Sequence, residues 1–173
     1  MMRKETYATT GPRMKVRFFG GWDFTATDLE GDWVKNGYDK GVPMGGDLKM
    51  GGTEGPSFIV QASMDPNTGS LDRIQVVKGW VEPDGSLAEK VYDVVWSGAR
   101  TKGANGKVPG VDNTVNLIDV SWDNDSGARE LAAVWQDPDF DASQEAFYYV
   151  RVLEIPTPRW TLYDQINYKL ELP

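Results

Sequence analysis

Apolar and polar residues alternate over short stretches along most of this chain, a period of two that predicts β-strands rather than helices. Residues 14–19 alternate apolar and basic side chains, as a half-buried strand does. Phe58, Val60, Ala62 and Met64 share one side of a segment at 57–64. Over 72–81, Ile74, Val76, Lys78 and Trp80 form one face, and Arg73, Gln75 and Val77 form the other. Asp65-Pro66-Asn67-Thr68-Gly69 and Glu82-Pro83-Asp84-Gly85 carry the residues that turns require. With the returning segment 87–96, the segments 57–64 and 72–81 therefore read as a three-stranded antiparallel meander.

Further strands are predicted at 114–122, ended by the polar cluster 123–127, and at 130–136, where Leu131, Ala133 and Trp135 share a face. The most apolar run, 146–155, is stopped by Pro156 and Pro158, because proline cannot donate to a ladder. Short helices are predicted at 141–145 and 162–168. The Gly-, Asp- and Lys-rich stretch 20–55 predicts one short strand near Trp22 or Trp33 plus an extended loop, and 99–111 predicts another long loop. Seven or more strands with turns between them predict an all-β fold: an antiparallel β-sandwich, Ig-like or jelly-roll-like, with long loops and at most short helices. A chain of 173 residues fits one such domain.

Composition narrows the chemistry sharply, because the chain contains no histidine and no cysteine. Ser-His-Asp triads, thiolate nucleophiles, imidazole-held metals and disulfides are excluded. Carboxylates remain, but nothing marks any two of them as a catalytic pair, and no catalytic residue or cofactor is assigned. A formal net charge of −8 argues against nucleic acid and against an anionic membrane surface. No window approaches the roughly 20 apolar residues of a membrane-spanning helix. Lack of cysteine suits an oxidising or a reducing compartment alike, so localisation stays open.

Two binding chemistries have candidates. Asp137, Asp139 and Asp141 stand at i, i+2 and i+4, a spacing with which a loop can offer oxygen ligands to calcium, although the EF-hand pattern fails at Ala142 and Tyr148. Trp22, Trp33 and Trp160 lie in or beside loops and are candidates for stacking on a carbohydrate. The stretch Gly41-Val42-Pro43-Met44-Gly45-Gly46-Asp47 lacks the Gly-Lys-Ser/Thr ending of a phosphate loop, and its glycines predict tight turns.

Several longer motifs belong together: Glu5-Thr6-Tyr7-Ala8-Thr9-Thr10-Gly11-Pro12-Arg13, Arg17-Phe18-Phe19-Gly20-Gly21-Trp22-Asp23, the 41–48 stretch, 71–80, and 147–160 with its Ile155-Pro156-Thr157-Pro158-Arg159-Trp160 ending. In order and over nearly the whole chain, they resemble the bacterial family known as domain of unknown function 3604. The resemblance covers the C-terminal part of those proteins, which look like relatives of the PHP-type metal-dependent phosphoesterases. Their metal-binding residues lie in an N-terminal barrel, so the resemblance implies that residues 1–13 are the remnant of a junction to a barrel absent here. Thr9, Thr10, Gly11 and Arg13 are expected nearest that junction, with 41–47 as a lid. The expected function is a non-catalytic accessory domain that packs against or caps the barrel. A carbohydrate-binding module and a calcium-stabilised structural domain are the alternatives. Family members continue past the equivalent of Pro173, which implies an exposed sheet edge and self-association through it.

Overall fold

The computed structural model describes residues 2–170 and contains seven strands in two antiparallel sheets. The strands are β1 (Lys15–Gly21), β2 (Gly41–Pro43), β3 (Ser57–Ser63), β4 (Leu71–Val81), β5 (Leu87–Trp96), β6 (Glu130–Gln136) and β7 (Ala146–Glu154). Two helices, α1 (Trp33–Lys40) and α2 (Trp160–Tyr168), and one 3-10 turn at Ala26–Leu29 complete the regular structure. The first sheet has the order β2-β1-β3-β6 and the second β5-β4-β7. The expected all-β sandwich with short helices is the observed architecture.

The core explains the pairing. Phe18 of β1, Phe58, Val60 and Ala62 of β3 and Leu131 of β6 face Leu71, Ile74 and Val76 of β4, and all are buried. Phe18 and Phe58 stack at 5.2 Å. The first sheet is also covered on its other face, where Phe19 and Ile59 pack with Phe24, Trp33 and Val34 in a second cluster. The 3-10 turn and α1 supply that cover. Gly37 permits it, since a Cβ there would lie 2.6 Å from the Phe19 ring.

The outer face of the second sheet is covered by a loop instead, pinned by ions. Arg73 contacts Asp72 at 2.9 Å and Asp93 at 3.4 Å, and donates to the carbonyls of Val108 and Pro109. Asp93, 1% exposed, also accepts from Gln75 Nε2 at 2.6 Å and from the Val108 amide at 2.7 Å. Arg100 grips Asp72, Ser97 and Pro109. Residues 98–111 thereby become a structured lid over β4 and β5, with Val108 buried beneath.

Four expectations are corrected. The three-stranded meander does not form: β3 pairs with β1 and β6, while β4 pairs with β5 and β7. The linker after β3 is too long for a tight hairpin, and Asp65 anchors it by accepting from the amides of Arg13 (2.7 Å) and Asn67 (3.0 Å). The chain thus crosses to the opposite sheet, and only the β4–β5 hairpin survives, with Gly85 at φ +84° in its turn. No strand spans 114–122; one isolated bridge joins Asn116 and Ser121. Asn113 and Asn116 accept from the amides two residues on, and Val120 sits at φ 56°, so the segment turns instead of extending. The 141–145 helix is a turn held by Asp141, which accepts from the Ser143 amide and hydroxyl. Trp33 begins a helix, not a strand, so the 20–55 stretch is more ordered than its composition implied. The helix expected at 162–168 is α2.

Asp93→Ala tests the pinned loop. It removes one of the two carboxylates that hold Arg73 and leaves Gln75 Nε2 and the Val108 amide without their acceptor, and breaking a buried charged network of this kind costs about 3–5 kcal/mol. Urea denaturation should show that loss, with faster amide exchange over 98–111. Burial alone raises the Asp93 pKa, but the bonds from Gln75 and Val108 and the charges of Arg73 and Lys107 outweigh it and hold it below 3.8. Its contribution is complete above 3.8 and is lost as pH falls through the lower folded value. The wild-type protein therefore loses more stability on acidification than Asp93→Ala does.

Candidate functional site

A large concavity lies where the two sheets part. In the stack, β6 lies against β5 and β4, which sets β1 opposite β7 and leaves β2 opposite no strand. An open cleft of about 1440 Å³ results. Val16 and Phe18 of β1, with Met44 just after β2, form one wall, and Tyr148, Val150 and Val152 of β7 form the other. These are the inward faces of strands whose apolar alternation was legible, so the cleft is an unfilled extension of the core.

Its rim collects residues that sequence alone had singled out. Thr9 and Thr10 line it, as do Val42 through Asp47. Gly45 is essential to that rim: at φ +81° its Cα meets the Lys4 backbone so closely that a Cβ would lie 2.2 Å from the Lys4 carbonyl oxygen. Gly11 is in open space at φ +135°, and Arg13 is fixed through its amide to Asp65. Hydrogen bonds from Arg13 and then Asn67 hold the Asp65 carboxyl below its ordinary range.

A buried polar cluster closes the inner end of the cleft. Lys78 projects from the core face of β4, 2% exposed, and donates to Asp137 Oδ2 at 2.7 Å and the Asp139 carbonyl at 2.6 Å. Tyr148 donates to the same Asp137 oxygen at 2.7 Å, and Asp137 Oδ1 accepts the Asp139 amide at 2.9 Å. Beside it, Asp139 Oδ2 accepts from Lys90 and Tyr92, each at 2.6 Å. Burial, and then these bonds to carboxylates, push both tyrosine pKa values up, so the phenols stay protonated. Bonds from Lys90 and Tyr92 hold the Asp139 carboxyl below its ordinary range. The Lys78 ammonium and both phenols are thus committed as donors.

The candidate ligands separate. Asp137 and Asp139 serve these lysines and tyrosines, Asp141 serves Ser143, and among the described residues no three His, Cys, Asp or Glu side chains converge as metal ligands. Trp22 is edge-on to Phe140 at 5.6 Å, its Nε1 donates to the Lys49 carbonyl, and Gly51 and Gly52 press against its ring. Trp33 packs against Phe19 at 6.1 Å. Trp160 is 75% exposed, beside Tyr163 on α2. Of the three, Trp22 alone lines the cleft.

Sequence reasoning did not single out Lys78 as a site residue. Its signal was present, since a lysine stood at an inward position among Ile74, Val76 and Trp80. Such a residue must find a buried partner, and only the fold shows that Asp137 is that partner.

Over residues 1–173 the chain matches the family model described as protein of unknown function DUF3604. It belongs to the DUF3604 family. No curated protein and no solved structure matches it.

Lys78→Met leaves Asp137 buried without its cation and should cost about 3–5 kcal/mol in chemical denaturation. Adding Asp137→Asn removes the orphaned charge and should recover part of that loss. A double mutant as unstable as the sum of the two single variants would show that the pair is not coupled.

Proposed function

We propose that this DUF3604 chain is a non-catalytic accessory β domain that docks through its open cleft against a larger body. That body is the metal-dependent phosphoesterase-like barrel to which the sequence resemblance points. The observation that carries this reading is the cleft itself: about 1440 Å³ between two sheets, walled by core-type side chains and left open. The junction residues Thr9 and Thr10 and the 42–47 segment lie on its rim, where a body joined to the start of the chain would sit. Further apolar surface stands uncovered nearby in sequence, with Phe147 62% and Tyr149 42% exposed on β7. Contiguous exposed apolar surface of this kind marks interaction sites. Carbohydrate binding draws less support, because Trp22 and Trp33 are packed into the protein. Calcium binding draws less as well, because Asp137 and Asp139 are already bonded to cations and phenols.

Sedimentation velocity tests the docking. Mixed with the separately expressed barrel of a DUF3604 family member, the chain should form a 1:1 complex. Met50→Asp, on the exposed cleft lining, should weaken it about tenfold, or about 1.4 kcal/mol, with unchanged circular dichroism. Absence of a complex removes the docking reading. Turnover of p-nitrophenyl phosphate by the chain alone with Mn²⁺ or Zn²⁺ removes the non-catalytic one.

A further inference from the structure

The two sheets are unequal, four strands against three, and the cleft occupies the missing position. We infer that this position is a strand-acceptor site: β7 takes one extended, apolar-alternating segment of a partner polypeptide as the fourth strand of its sheet. This inference rests on the docking reading, since both use the same cleft, and it names the docking element.

Three observations carry it. The first is the ladder. β7 is paired on one side by β4 from Ala146 to Glu154, and among the described residues its other side has no strand partner. Unpaired amides and carbonyls along such an edge are a template for an added strand.

The second is size. β7 is nine residues long. A strand of that length, at about 3.3 Å per residue, about 4.8 Å strand spacing and about 10 Å between sheets, sweeps roughly 1,400 Å³. The cleft, about 1440 Å³ and open on one side, leaves room for an added strand of that length.

The third is charge. Asp47, Asp141, Glu145 and Glu154 lie in the lining, Glu145 immediately before β7 and Glu154 at its far end, where it accepts from the Thr68 hydroxyl. Of the basic residues in that lining, Lys78 is closed off by Asp137 and Arg151 donates to Gln75. Lys4 and Arg151, whose bond to a neutral amide leaves its charge in place, remain against four carboxylates. The incoming strand therefore carries a basic residue at the end that lies beside Glu145.

A second copy of this chain does not fit the position. Antiparallel pairing of two β7 strands places a two-fold axis perpendicular to the sheet. That axis drives the overhanging β2 of one copy into the layer occupied by β1 of the other.

The test uses the whole chain and synthetic nine-residue peptides of alternating valine and threonine, with lysine at one end. Isothermal titration should show saturable 1:1 binding, with amide-resonance changes confined to β7 and the 42–50 rim. Glutamate in place of the lysine should weaken binding about tenfold, and Glu145→Lys in the protein should reverse that preference. Proline at alternate peptide positions removes ladder donors and should abolish binding. Equal binding by the proline peptide, no saturable binding by the lysine peptide, or dimerisation of the chain through β7 would each overturn the inference. If the barrel docks while the peptides fail, the strand-acceptor site is wrong and docking stands. If the peptides bind while the barrel does not dock, the reverse holds.

Discussion

The sandwich is closed at one end by a buried charged tie. Lys78 leaves the inner face of the second sheet and meets Asp137 immediately beyond the last strand of the first. Both side chains are withdrawn from water, which costs several kcal/mol per ion before any attraction is counted. The cost is offset because Lys78 also reaches the Asp139 carbonyl, because Tyr148 completes the Asp137 oxygen, and because the Trp80 and Tyr148 rings lie 5.5 and 5.9 Å from the ammonium. A hydrophobic pair of the same volume would hold the sheets with less desolvation. What the ion pair adds is a directional contact between β4 and the end of β6, since a buried ammonium must keep its acceptors within hydrogen-bond reach.

That contact bears on where the sheets can part. With β4 and β5 held over β6, the three-stranded sheet runs out before the four-stranded one does. The surplus, β2, has no strand above it, and Tyr148, Val150 and Val152 border the gap. The same tie that closes one end of the core thus also closes the inner end of the cleft, and the apolar lining of the cleft follows from the period-two pattern of β1 and β7. α2 differs from the rest of the molecule: Trp160, Ile166 and Tyr168 are exposed on it, and only Leu162 and Tyr163 are half-buried.

Strand existence was largely legible in the sequence, because a half-buried strand writes its burial into every second residue. β1, β3, β4, β5, β6 and β7 fall within a residue or two of the expected segments. Pairing was not legible. Ser57–Ser63 is buried on both faces, which suits the middle of a sheet, yet its neighbours come from Lys15–Gly21 and Glu130–Gln136, far away in sequence. The false strand at 114–122 had the composition of a strand, but its asparagines bond to their own backbone and stop extension, a competition that composition does not display. The helix at Trp33–Lys40 was hidden by Gly37, which weakens helical propensity while allowing the close approach to Phe19. At the site, the rim residues Thr9, Thr10 and 42–47 came from family likeness rather than from periodicity. Lys78 was visible as an anomaly whose meaning depended on a partner 59 positions away.

The absence of histidine gives the whole arrangement a particular pH behaviour. No side chain here has an unperturbed pKa between about 5 and 8. The carboxyls of Asp28, Asp65, Asp93 and Asp139 are held below their ordinary range by hydrogen bonds and neighbouring cations, so they stay ionised to lower pH than free carboxyls. The phenols of Tyr92 and Tyr148 are pushed up and remain donors. Glu154 is displaced toward neutrality, by burial and then by the charge of Asp65, against the opposing bond from Thr68. It sits at the far end of β7 from Glu145. Asp93 in the pinned loop and Asp139 beside the cross-sheet tie therefore keep their charges across the neutral range.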